Sequence, residues 1–127
     1  MSARMKSLRA SLEEVLKEME RSDPEIEASA LVRTDGLIMA SALPEDADKT
    51  LVAAMTAAVM NIGSRALEEL KRGTLQEVLV RGDQGIICVM RATKDSVLSA
   101  IARPDANVGL VLVEMRKAID KISKFLS

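Results

Sequence analysis

A chain of 127 residues, 48% hydrophobic and 29% charged with a net charge of −1, can build one domain with a real core and is too short for two. The near-neutral balance argues against non-specific binding to nucleic acid or to anionic membranes, which needs a basic excess. With no Trp, no Tyr and a single Phe, Phe125, there is no platform on which bases would stack.

Taken in chain order, Met5, Leu8, Leu12, Val15, Leu16 and Met19 recur at three- and four-residue steps and predict an amphipathic helix from Ala3 to Arg21. This segment turns acidic and amphipathic and lacks the apolar block of a signal peptide. No run approaches about 20 continuous apolar residues, so no membrane span is expected. Lone Cys88 cannot form an internal disulfide, which fits a reducing compartment, and the expected location is the cytoplasm. Ser22-Asp23-Pro24 stops the helix, because Pro disfavours helix at the residue before it. Alternation of Ile26, Ala28, Ala30 and Val32 with Glu27, Ser29, Leu31 and Arg33 predicts a strand. Thr34-Asp35-Gly36 is a hairpin turn in which Gly36 supplies positive φ, and Leu37 to Ala42 returns alongside.

Glu45-Asp46-Ala47-Asp48 is expected to open the central helix, with three carboxylates at its positive end and a capping oxygen among them. Around this helix, Leu51 to Leu70, the rest of the chain is organised. At about 100° per residue, Leu51, Val52, Met55, Val59, Ile62, Ala66 and Leu70 form one apolar stripe, expected to lie on the chain's own sheet. Ala53, Thr56, Met60, Gly63 and Leu67 form a second beside it. A helix apolar over more than half its girth needs cover from two sides, and in a short chain the second cover is most simply another subunit. The second stripe is therefore assigned to a homodimer interface. Lys71-Arg72-Gly73 closes the helix with cations and a glycine cap.

Three more strands follow. Leu75 to Arg81 alternates; Ile86 to Ala92 is almost unbroken in its apolar character and hence central; Ser96 to Ala102 is mostly apolar. Their short links imply antiparallel pairing. Asn107 is placed to cap a last helix to Leu126, whose buried stripe is Val108, Val111, Leu112, Met115, Ile119, Ile122 and Leu126. The sum is one α+β domain over 1–127, an antiparallel sheet between helices.

Chemistry is missing. The sequence has no His, the commonest general base and metal ligand, so neither a triad nor a dyad of the usual kind can form. Cys88 sits mid-strand and reads as a buried structural thiol. Neither phosphate-loop pattern, GxGxxG or GxxxxGK[ST], occurs. Arg65 reads as a rim contact and not as an arginine finger. Thr56, Cys88 and Ser99 are too few to orient a small ligand inside the core, so neither cofactor nor small-molecule substrate is expected. What remains is protein binding.

The segments ALVRTDGLIMASALPEDAD (Ala30 to Asp48), the Ala-rich central helix, LQEVLVRGDQGIICVMRA (Leu75 to Ala92) and VLSAIARPDANVGLVLVEMRKAI (Val97 to Ile119) resemble the roadblock family, in particular its prokaryotic members that work with Ras-like small GTPases. The resemblance covers essentially the whole chain. It implies a five-stranded antiparallel sheet of order 2-1-5-4-3, with the central helix on one face and both terminal helices on the other. It also implies a homodimer in which third strands pair edge to edge, adding Leu75, Glu77, Val78, Leu79, Val80 and Arg81 to the interface. By the same resemblance a GTPase docks across the paired central helices, on Ala54, Ala57, Asn61, Arg65 and Glu68. Family members are binding platforms; some bacterial relatives accelerate GTP hydrolysis by their partner without a catalytic side chain of their own. The alternative is a structural scaffold of a larger assembly with no nucleotide-dependent role.

Overall fold

The structure is a computed structural model and describes residues 2–126. Helix α1 (Ala3–Ser22) begins where Ser2 Oγ accepts a hydrogen bond from the Met5 N–H at 3.2 Å. It ends where Asp23 turns extended and gives its own N–H to the Met19 carbonyl. Leu12, Val15, Leu16 and Met19 are buried as the periodicity predicts. Met5, on the same stripe, is 59% exposed because the first turns of α1 overhang the body of the domain.

Strands β1 (Ile26–Arg33) and β2 (Ile38–Ala42) form the expected hairpin, closed by the Arg33 N–H on the Leu37 carbonyl with Gly36 at φ +93°. Helix α2 (Lys49–Glu69) then crosses the sheet and leads to β3 (Glu77–Arg81), β4 (Ile86–Thr93), β5 (Ser96–Ala102) and α3 (Val108–Leu126). Strand order is β2-β1-β5-β4-β3, and every pair is antiparallel. The α+β architecture and strand order are those expected.

The sheet separates two cores. One, of eighteen buried residues, packs Leu12, Leu16, Met115 and Ile122 of α1 and α3 on Leu31, Ile86, Cys88 and Leu98. The other, of seven, lies under α2 and holds Ala30, Val32, Ala53, Met60, Leu75, Val89 and Val97. One central helix on one face and the two terminal helices on the other is the expected layering. Alternation along the strands does the sorting: Ile86, Cys88 and Met90 point to the larger core, and Val89 between them points to the smaller.

Both ends of α2 differ from expectation. Glu45 and Asp46 lie in a turn ahead of the helix, closed by the Ala47 N–H on the Pro44 carbonyl. Only Asp48 caps, accepting from the Leu51 N–H at 3.1 Å. At the far end the residue at positive φ directly after the C-cap is Lys71 (φ 55°), not Gly73. The Arg72 N–H bonds the Leu67 carbonyl and the Lys71 N–H bonds that of Glu68, a Schellman closure two residues earlier than the glycine suggests. Among the described residues α2 alone has the length and apolar composition to cross a bilayer, a property the sequence reading missed. Here it lies along the sheet with one side buried against it.

Candidate functional site

The stripe of α2 expected at a dimer interface faces the chain's own sheet, and the stripe expected on the sheet is largely exposed. Ala53, Thr56 and Met60, assigned to a dimer interface, are 2–4% exposed and packed on the chain's own sheet, with Leu67 half-buried beside them. Gly63 faces inward as well: a Cβ there would stand 3.0 Å from Val78 Cγ2 and 3.3 Å from Leu75 Cδ2. In the stripe assigned to the sheet, Ile62 and Leu70 are 71% and 70% exposed, Leu51 and Met55 55% and 54%, and Ala66 is exposed too; Val52 and Val59 sit at the margin. Size explains the reversal. Ala53, Ala57 and Gly63 let the helix axis settle close to a sheet face already filled by Val32, Val89 and Val97, and bulkier Leu51, Met55 and Ile62 would hold it off.

The third-strand residues divide similarly. Leu75 precedes β3 and is buried under α2, Val78 packs on the same cluster, and Glu77 pairs with Arg116 at 3.3 Å. These three are committed within the chain. Leu79, Val80 and Arg81 stand exposed on an edge strand whose outer side no other strand covers. Val80 lies opposite exposed Ile87 on the α2 side of the sheet, and a groove of about 210 Å³ runs from Ile87 and Ile101 to Leu51, Met55 and Val59. No charged side chain lines it. On a helical projection Leu51, Met55, Val59, Ile62, Ala66 and Leu70 fall within about 100° of one another, and Val52 and Val59, at one margin of that arc, line the groove.

Of the residues expected to meet a partner, Ala54, Asn61, Arg65 and Glu68 are exposed and form the other margin of the outer face. Ala57 is not among them: it is 7% exposed, and its Cβ lies 4.0 Å from where a Cβ on Gly36 would stand. The outer surface of α2 is thus an apolar band on the β3 side and a polar band opposite. Leu51, Met55, Ile62, Leu70 and Ile87 are the surface residues that sequence reasoning missed. The only signal able to find them was side-chain volume, since both stripes are equally apolar.

No reactive group accompanies this surface. Cys88 is buried, and burial, followed by the nearby Glu77 carboxylate, pushes its thiol pKa up and disfavours the thiolate. Among the described residues no three His, Cys, Asp or Glu gather as metal ligands would. What the arrangement can do is bind: an apolar helix face next to an open strand edge, with Asn61, Arg65 and Glu68 to give it orientation.

A family model for the Roadblock/LC7 domain matches residues 11–102. An uncharacterized protein of Methanocaldococcus jannaschii is 32% identical over 111 residues, covering 87% of this chain and 96% of that protein. The fold is similar to a Roadblock/LC7 domain from Streptomyces avermitilis, with a TM-score of 0.85 and 18% identity over 90% of this chain and 96% of that one. It is also similar to MglB of Myxococcus xanthus, with a TM-score of 0.83 and 20% identity over 91% of this chain and 94% of that one.

Proposed function

The chain belongs to the Roadblock/LC7 domain family, and on that premise we propose that it is a homodimeric cytoplasmic adaptor that binds a Ras-like small GTPase. One observation carries the reading: the outer face of α2, with Val80 and Ile87 on the adjoining β3–β4 edge, is an apolar surface that the chain's own fold leaves exposed. An exposed apolar patch of that kind, rimmed by polar residues, is what a protein interface looks like before it is occupied. In this reading Met55, Ile62, Leu70, Leu79 and Val80 serve the second copy. Ala54, Asn61, Arg65 and Glu68, on the polar margin of the same helix, serve the GTPase. In this reading any effect on GTP hydrolysis acts by positioning the partner's own residues.

The test is to mix the purified chain with the Ras-like GTPases encoded in its genome, each loaded with GDP or a GTP analogue, and to measure complex formation and hydrolysis. A complex that prefers one nucleotide state and is weakened by Arg65→Glu with Glu68→Lys supports the proposal. Absence of any complex in either state overturns it, and pull-downs that return other proteins would favour the scaffold reading.

A further inference from the structure

Net charge near zero hides a segregation that only the fold reveals. In α1 the residues from Ala3 to Leu12 include Arg4, Lys6 and Arg9 and no acid; the acids Glu13, Glu14, Glu18 and Glu20 all come later. Helices α1 and α3 run antiparallel: Met19 and Ser22 share a cleft with Glu114 and Ala118, while Ser11 and Glu14 share one with Lys124 and Phe125. The end of α3, with Lys124 and Phe125, therefore lies beside Ser11 and Glu14, and the basic start of α1 projects past it.

Farther along the helix pair, two acids of α1 are paired. Glu14 meets Arg21 at 2.7 Å and Glu18 meets Lys121 at 2.6 Å. Arg4, Lys6 and Arg9 are exposed and form no ion pair among the described residues. Two carboxylates lie at the neighbouring sheet end, lining a cleft with Leu126: Asp35, already bound to Arg33 at 2.8 Å, and Asp95, which follows Lys94 in the chain. Glu13, one helical turn past Arg9, offsets part of the charge on Arg4, Lys6 and Arg9, while residues 3–12 themselves carry three cations and no acid. Arg4 to Arg9 spans about 8 Å along the helix, and at about 100° per residue Arg4 and Lys6 stand on either side of Met5, with Arg9 close beside it.

An apolar group stands among these cations: Met5, which continues the buried stripe of α1 and is 59% exposed. Cations flanking a large apolar side chain on an overhanging helix end match a headgroup–acyl boundary, where the charges meet lipid phosphates and the apolar tip enters the outermost hydrocarbon. Absence of a stacking platform argues against nucleic acid as the anion.

We infer that the overhanging start of α1 is a peripheral attachment site for an anionic phospholipid surface, contacted by Arg4, Lys6 and Arg9 with Met5. The chain lies on the surface and does not cross it. This assignment is independent of the GTPase reading, because it uses the opposite layer of the domain and no second protein.

Co-sedimentation of the purified full chain with vesicles tests it. Binding to phosphatidylglycerol vesicles, weak binding to phosphatidylcholine vesicles, and release as salt rises are expected. Each cation near such a surface is worth about fivefold in partitioning, so Arg4→Glu, Lys6→Glu and Arg9→Glu together should lower binding by about a hundredfold or more. Thermal unfolding should be little changed, since all three side chains are exposed. Lys49→Glu, Lys71→Glu and Arg72→Glu, the same charge change around α2, should retain binding, and Met5→Asp should weaken it. Equal partitioning to both vesicle types, wild-type binding by the α1 variant, or an equal loss in the α2 variant overturns the inference.

Discussion

Gly63 and Val78 fix how closely α2 approaches β3: a Cβ on the glycine would meet Val78 Cγ2 at 3.0 Å. Alanine there forces a small shift of two flexible side chains but gains up to about 1 kcal/mol of helix propensity, so Gly63→Ala should be near neutral. Gly63→Val adds branched bulk against Val78 and Leu75 and should destabilise by about 1–3 kcal/mol. Urea unfolding of the two variants checks this; equal stability would mean the contact is loose.

Ile62 and Met60 are two positions apart on α2 and face opposite ways, outward and inward. Ile62→Glu and Met55→Glu should leave a folded chain and abolish the dimer, read by light scattering after gel filtration. Met60→Glu should fail to fold, because it buries an unpaired carboxylate in the smaller core. If the dimer forms as proposed, its interface should bury about 1,200–2,000 Å² in total. A stable dimer from Ile62→Glu, Met55→Glu and Val80→Lys combined would place the contact elsewhere.

Ser29 Oγ donates to Glu20 Oε2 at 2.6 Å where α1 crosses β1. Partial burial raises the Glu20 pKa above the usual carboxylate value, and the Ser29 hydrogen bond only partly opposes it. A carboxyl whose pKa is raised on folding binds its proton more tightly in the native state, so its contribution to stability declines as pH rises from the unfolded pKa through the folded one. Its ionised form opposes folding above that window. Glu20→Gln keeps an acceptor for Ser29 and cannot ionise. It should be more stable than wild type at neutral pH, and the difference should shrink or reverse on acidification through the same window, as followed by thermal melts. A constant difference across pH would show that Glu20 does not titrate there.

Asp48, and neither Glu45 nor Asp46, holds the start of α2. Asp48→Ala should cost about 0.5–2 kcal/mol, the usual range for a lost N-cap. Glu45→Ala and Asp46→Ala should each stay within about 0.5 kcal/mol of wild type, as surface changes do. Chemical denaturation ranks the three, and equal losses would restore the whole acidic cluster to the helix end.

The elements were readable because each carries its own punctuation. Gly36 at the hairpin, Pro24 after α1 and the Asn107 carboxamide, which accepts from the Leu110 N–H at the start of α3, act locally and leave local marks. The facing of α2 left none. Its two stripes have the same polarity and differ only in bulk, so the choice was made by the width of the gap above Val32, Val89 and Val97, a property of distant strands. Leu75 misled for a related reason: it alternates like a strand residue, yet the chain uses it as a plug beneath α2 before β3 begins. Arg4, Lys6 and Arg9 were visible as letters, but their projection past the end of α3 required the antiparallel course of α1 and α3.

Division of the interior by the sheet into eighteen buried residues on one side and seven on the other sets a gradient of amide protection. Hydrogen exchange in α2 should proceed through partial detachment of that helix, at lower free energy than exchange in α1 or α3. Anything that clamps its outer side, a second copy included, would slow deuterium uptake there in a concentration-dependent way and leave the opposite layer almost unaltered. The loosest layer of the molecule is thus the one whose order depends most on company.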